Sequence, residues 1–501
     1  MTRAWILLKN ISVNFSVQGI TFLISLATAP FIFRNLGEEK FSLLLLFVTI
    51  GGWFAILDLG MLTAFVKYLA ETDKKQEEKK KILQTAEFIY LILLIIWGIL
   101  VFISSPFLIK KIFIVSADLE ELAIKSLRLM TFSFVLTMLT NFFEGIPRAL
   151  HRFEISNIKH FFIGFFIPVG TIWLLFLGFG FWQIIWLYVL VNLIALIMFF
   201  VISKRLLPEF DFRPRFSREA FHQLRKFASF KFLADITARV GFQLNHFLIA
   251  SFLPVSQLAF YALPAGIGEK ALSVLPNLTL PVFSLVSDLK SSREEGKLKV
   301  MYQYVVRLST LLMVPVFCFL VFFGPKFLDL WMGSDFGIKA GLILQILAIS
   351  YLLASFPAIP AAVSEGSGRP EVTAYFGVFN SILMVFFSLV LIPKFGLLGA
   401  AFSMLFTRLI QVPVFIVWTS RKIVEIKKII FFWNNYLKII LAGVLAGFIL
   451  SFSGLNINNF WQLIIAGIIY LLIFTGLCLL VKAIKKDDWQ AVLDILRHGR
   501  V

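Results

Sequence analysis

The chain alternates between long apolar runs and short polar connectors. Fourteen runs are read at about 10–33, 41–66, 84–109, 122–147, 157–179, 182–203, 227–252, 257–286, 303–328, 338–363, 371–393, 397–420, 434–454 and 460–483. Each approaches the roughly 20 residues that a helix needs to cross a hydrocarbon core about 30 Å thick. Backbone groups in lipid must be hydrogen-bonded within the chain, so the pattern predicts a bundle of spanning helices. The expected fold class is an all-α integral membrane protein with about fourteen transmembrane helices.

The connectors divide this bundle. Three are strongly charged: Thr72 to Lys81, Lys204 to Lys226 and Ser287 to Lys299. The second also carries Pro208 and Pro214 and reads as a linker. The organisation expected is an N-lobe of six helices over 1–205, a cytoplasmic linker over 206–226, a C-lobe of six helices over 227–421, two appended helices over 422–484, and a cytoplasmic tail over 485–501. In each lobe a tight turn (Asn35-Leu36-Gly37, Phe252-Leu253-Pro254) joins two long helices, and a charged loop follows the second. Such parallel repeats suit a transporter. Trp489, Val492, Leu493 and Leu496 fall at helical spacing, so the tail reads either as a helix lying on the membrane surface or as a solvated tail.

Composition supports this reading. Hydrophobic residues make up 59%, against roughly 45–50% in soluble domains, and the mean hydropathy is +0.90. The net charge of +18 does not point to nucleic acid, because the lysines and arginines concentrate in alternate connectors. That asymmetry places both termini in the cytoplasm. Cys318 and Cys478 stand alone in apolar runs, with neither disulfide nor metal spacing. The first run is too long for a signal peptide and reads as an uncleaved helix. No phosphate loop, paired-histidine metal helix or nucleophile elbow is present. The expectation is therefore a transporter rather than an enzyme, with no metal site and no cofactor beyond a coupling Na+ or H+.

Candidate chemistry lies in the charges within the runs: Asp58, Lys125, Arg128, Glu144, Lys231, Asp235, Arg239, Glu269, Lys270, Arg307 and Arg408. A charge at the bilayer centre costs about 2.5–3.5 kcal/mol on insertion scales, so it persists where it meets a partner or water. Lys231, Asp235 and Arg239 recur every four residues and share one helix face. Seven cations against four acids leave the set net positive. Arg239, Lys270 and Arg408 fall near mid-membrane, where snorkelling is hard, and are read as lining a hydrated cavity. Lys231 and Arg307 lie nearer the inner face. For Lys125, Arg128 and Arg307, snorkelling to headgroups is an equal alternative. A positive cavity suits an anionic substrate, Arg offering a planar fork to phosphate oxygens and Lys a point charge. Asn10, Asn14 and Gln18 share a face of the first helix and serve either sugar hydroxyls or helix contacts. His246, the histidine deepest in a run, reads first as packing. Asp58, Asp235, Glu269 and Glu144 are candidates for ion pairing or for ion coupling.

Three stretches carry a family resemblance: Arg34 to Leu46 (RNLGEEKFSLLLL), Ile56 to Ala70 (ILDLGMLTAFVKYLA) and Leu391 to Ile410 (LIPKFGLLGAAFSMLFTRLI). Their order and spacing resemble the polysaccharide transporter branch of the multidrug/oligosaccharidyl-lipid/polysaccharide exporter superfamily, the O-antigen type flippases. The resemblance covers about the first twelve helices. It implies two six-helix lobes forming a V, alternating access, and an undecaprenyl-pyrophosphate-linked oligosaccharide moved from the cytoplasmic to the periplasmic leaflet. It also implies cavity cations, which by depth and charge map to Arg239, Lys270 and Arg408, and contact with membrane lipids and with polysaccharide polymerase machinery. Lipid II flippases and drug/cation antiporters of the same superfamily are the alternatives. The first helix lacks the arginines of the former, with none between Lys9 and Arg34, and Asp58 lies near a helix end for the latter. A membrane glycosyltransferase or polymerase would need a long outer loop or catalytic domain, and the outer connectors are short.

Overall fold

The computed structural model describes residues 3–54, 59–71, 76–208, 211–292, 294–426 and 430–483; for 3–15 and for several positions between 226 and 238 it describes the helix but not the side chains. Asp58 and the tail from 485 lie outside the described residues. The described chain is helical, and its one β-type contact is an isolated bridge between Ile114 and Pro254. It forms two compact units, 1–259 and 260–501.

In the first unit, α1 (3–36) and α2 (38–54) are separated at Gly37, whose φ of 78° belongs to the left-handed region where glycine is at ease. The rings of Phe33 and Phe41 lie 5.4 Å apart. A straight helix would separate these positions by about 12 Å, so the chain folds back here. Next come α3 (Met61–Ala70), α4 (Gln76–Phe107), α5 (Glu120–Ala149), α6 (Phe153–Phe176), α7 (Phe181–Leu206) and α8 (Arg218–Phe252). The run expected at 41–66 is thus broken between α2 and α3, where Leu59 and Gly60 both take positive φ. Small and aromatic residues close the core: Ala64, Phe65, Leu127, Ile146 and Ala195 are buried, and Phe65 stacks on Phe142 at 5.1 Å. Polar side chains inside satisfy one another. Thr137 donates to Asn192 at 3.0 Å, and Asn192 donates to Ser133 at 3.0 Å. The start of α8 is held by Tyr68, whose hydroxyl donates to the Gln223 carbonyl at 3.1 Å.

Helix α9 (Leu258–Leu272) leads into the second unit, followed by α10 (Pro276–Ser291), α11 (Glu295–Met332), α12 (Ser334–Ser355), α13 (Ala358–Gly366), α14 (370–395), α15 (397–422), α16 (Lys438–Phe452) and α17 (Phe460–Leu480). The runs at 257–286 and 338–363 are each split, before Pro276 and at Pro357, since proline removes a helical hydrogen bond. Gly396, at φ 59° and ψ −135°, separates α14 from α15. The Ser388 hydroxyl reaches that of Ser403 at 3.2 Å, so these two helices form a hairpin. A Cβ on Gly399 would sit 2.1 Å from the Leu391 carbonyl oxygen, so only glycine permits this approach.

Among the described residues, eleven helical segments are long and apolar enough to cross a membrane. Counting α1 and α2, and α14 and α15, as separate arms and adding α8 returns the fourteen spans of the expected fold class. Large apolar side chains such as Ile95, Ile99, Leu472 and Phe452 are exposed on the helices, as lipid contact requires.

Candidate functional site

Arg239 sits on α8 in the first unit, half-buried, and donates to the Gln243 side chain at 3.4 Å. The facing helix α2 makes room with glycine. A Cβ on Gly52 would lie 3.2 Å from the Arg239 guanidinium and 3.1 Å from the Gln243 amide oxygen. One turn further along α2, Thr49 approaches the His246 ring at 3.5 Å. Thr49, Arg239, Gln243 and His246 thus form a polar seam between two apolar helices. Lys231 and Asp235 lie on the same helix, with side chains outside the described residues.

A second polar group of this unit joins α5 to α6. Glu144, 1% exposed, pairs with Lys159, and Arg148 reaches its other oxygen at 2.5 Å. Lys159 also donates to Asn141 at 2.7 Å. Each carboxylate oxygen therefore has a cation, and the buried ammonium has an amide as well. That is the arrangement in which a buried pair is tolerated. Lys159 escaped the sequence reading because it lies near the start of its run, where a lysine ordinarily snorkels. Lys125 does behave as a surface cation, pairing with exposed Glu121 at 2.6 Å, while Arg128 stands over the Phe102 ring at 5.1 Å.

The second unit holds a different cluster. Arg408 on α15, 7% exposed, donates to the Asn380 side-chain oxygen at 2.7 Å. Tyr351 on α12 is fully buried. It lies within electrostatic reach of Glu269 on α9, of Arg408 and of Tyr261. Gly268 lets α9 close onto the tyrosine ring: a Cβ there would sit 2.1 Å from a ring carbon. The structure thereby brings Glu269 and Arg408 into one cluster through Tyr351. Nothing in the sequence marked Tyr351 or Asn380, since neutral polar residues are common in spanning helices. Lys270, next to Glu269, is exposed, and Arg307 on α11 is buried. On α1, Gln18 is exposed, and only the helix position of Asn14 is described.

This unit also contains an apolar cavity of about 690 Å³, walled by Phe356, Val412, Ile416, Trp433, Tyr436 and Ile440 among others. Such a volume accepts a stretch of hydrocarbon chain and offers almost no hydrogen bonds.

Comparison with known proteins places these features. A protein of Shigella flexneri described as an O-antigen transporter is 21% identical over 410 residues, covering 79% of this chain and 94% of that one. A Haloferax volcanii protein described as the low-salt glycan biosynthesis flippase Agl15 is 24% identical over 216 residues, covering 43% of this chain and 45% of that one. Among solved structures, the lipid II flippase MurJ in an inward closed conformation superposes with a TM-score of 0.74 at 18% identity, covering 92% of this chain and 98% of that one. An inward-facing multidrug resistance transporter of the MATE family superposes with a TM-score of 0.70 at 16% identity, covering 82% of this chain and 97% of that one. These identities establish a shared fold. The family model for polysaccharide biosynthesis proteins matches residues 7–287, more than half of the chain, and the chain is a member of that family.

Proposed function

We propose that this protein is a flippase that moves an undecaprenyl-pyrophosphate-linked oligosaccharide, such as an O-antigen repeat unit, from the cytoplasmic to the periplasmic leaflet of the bacterial inner membrane, with both termini in the cytoplasm. One observation carries this reading: the Shigella protein described as an O-antigen transporter aligns over 94% of its length. The MurJ-like fold supports handling of a lipid-linked glycan, and the apolar cavity of the second unit has room for isoprenoid. No bond is broken in the transport step.

Within this proposal the pyrophosphate is recognised by cations, for which half-buried Arg239, exposed Lys270 and buried Arg408 are the side chains to test. A substrate shifts a conformational equilibrium only through its differential affinity for the two states, so charge neutralisation at these residues is the proposed trigger for alternating access. Glu269 is proposed to exchange a proton or sodium ion as the cycle resets. Transport indifferent to both gradients removes that step.

The test is a leaflet assay in the host. Deletion is expected to trap complete lipid-linked repeat units on the cytoplasmic leaflet, with rescue by the wild type but not by well-expressed Arg239→Ala. Normal surface glycan combined with altered dye or drug sensitivity would replace the proposal with an antiporter.

A further inference from the structure

A second cavity, whose lining includes none of these residues, lies where α4 begins. Its volume is about 380 Å³, and Lys80, Lys81 and Arg215 line it with Gln84 and a single acid, Glu77. Lys80 and Lys81 belong to the first turns of α4. Arg215 comes from the segment before α8, and that segment is firmly held. The Arg215 N–H donates to the Gln84 carbonyl at 3.3 Å. The Gln84 side chain donates to the Asp211 carbonyl at 3.2 Å, the Thr85 hydroxyl donates to the Arg215 carbonyl at 3.3 Å, and the Ser217 N–H donates to the Thr85 hydroxyl at 3.1 Å. Three cations are thus gathered on one cavity by backbone contacts that owe nothing to their charges. Among the described residues, none of the three forms an ion pair.

Bringing three like charges together costs free energy that a polyvalent anion offsets. Arg and Lys side by side offer phosphate oxygens a fork and two point charges. The level in the membrane identifies the source. Lys81 ends the charged connector ahead of the apolar run at about 84–109, and outward-facing Ile92, Ile95 and Ile99 follow on the same helix. Phe216, at the cavity rim, is 53% exposed and packs beside Phe88 at 5.8 Å. Cations over an apolar, aromatic-edged surface match a lipid whose head is anionic.

We propose that this cavity is a phosphate-binding site that takes the headgroup of an anionic phospholipid, fastening the segment 211–217 to α4. Its lining shares no residue with the proposed substrate cations, so the proposal does not depend on which glycan is transported.

The test uses the full-length protein in nanodiscs of phosphatidylcholine with and without phosphatidylglycerol, reading retained lipid by native mass spectrometry. A parallel arm adds inorganic phosphate to the phosphatidylcholine discs and reads the thermal midpoint. The wild type is expected to hold phosphatidylglycerol about tenfold more strongly than the triple variant Lys80→Gln, Lys81→Gln, Arg215→Gln. The control Lys297→Gln, Lys299→Gln, altered in the first turns of α11, should match the wild type. Stabilisation by phosphate without lipid retention, lost in the triple variant, keeps the site and assigns it to a soluble phosphate. Equal retention by wild type and triple variant, with no phosphate response, overturns the proposal. If the triple variant fails to fold, Arg215→Gln alone, at an exposed side chain, decides by the same readouts. None of these outcomes depends on the export assay, so the two proposals fail independently.

Discussion

Two buried charges in the same chain are accommodated in opposite ways. Glu144 in the first unit is enclosed by Lys159 and Arg148, one cation to each oxygen. Arg408 in the second unit is held by the neutral Asn380 amide and lies in electrostatic reach of the Tyr351 hydroxyl, which is in turn within electrostatic reach of Glu269. The first arrangement consumes its charge locally and behaves as a structural tie between α5 and α6. The second leaves its charge facing neutral dipoles, with Glu269 on α9 within electrostatic reach of the same tyrosine. Buried charge alone therefore does not single out a functional site in this protein.

The sharpest way to break the comparison is Glu144→Ala. It leaves two cations without their carboxylate and should destabilise the protein by about 3–5 kcal/mol, seen as a large drop in the thermal midpoint in detergent. Glu144→Gln with Lys159→Met should recover most of that loss. A mild effect of the single substitution would mean that the tie is solvated. Asn380→Ala comes next. A buried guanidinium that loses its acceptor costs about 1–3 kcal/mol, and glycan export should fall further than the midpoint shift explains. Arg408→Met should change stability little, because an apolar side chain of similar length fills the site, yet export should be lost; full export by a well-folded Arg408→Met would erase the distinction drawn here. Smallest is Gly37→Ala, where a Cβ enters a left-handed turn with open space around it. It should cost about 1 kcal/mol, measured by denaturation, without altering export.

Much of the fold was legible because lipid enforces length and hydropathy so strictly. The turns at Gly37 and Gly396 fall in the connectors that the apolar runs left between them. The breaks within runs were less visible. Pro276 and Pro357 mark two of them, but proline also occurs in unbroken spans here, as Pro168 does within α6. At the candidate site, ionisable residues stood out because each is expensive in hydrocarbon, which is why Glu144, Glu269 and Arg408 were noticed. Their partners were not. Lys159 looked like an ordinary helix-end cation, and Tyr351 and Asn380 carry no charge to betray them. Pairing depends on which helices pack together, and apolar periodicity is nearly silent on that when most helix faces are apolar.

The hairpin of α14 and α15 has a consequence for how the protein is made. A lone helix bearing Arg408 would enter the bilayer at a penalty of about 2.5–3.5 kcal/mol. Its hydrogen-bond acceptor, Asn380, lies on the helix synthesised immediately before it, across a turn pivoting on Gly396. The two helices are therefore suited to leave the translocon as a pair, with the arginine already satisfied by its neighbour while α16 and α17 are still being translated.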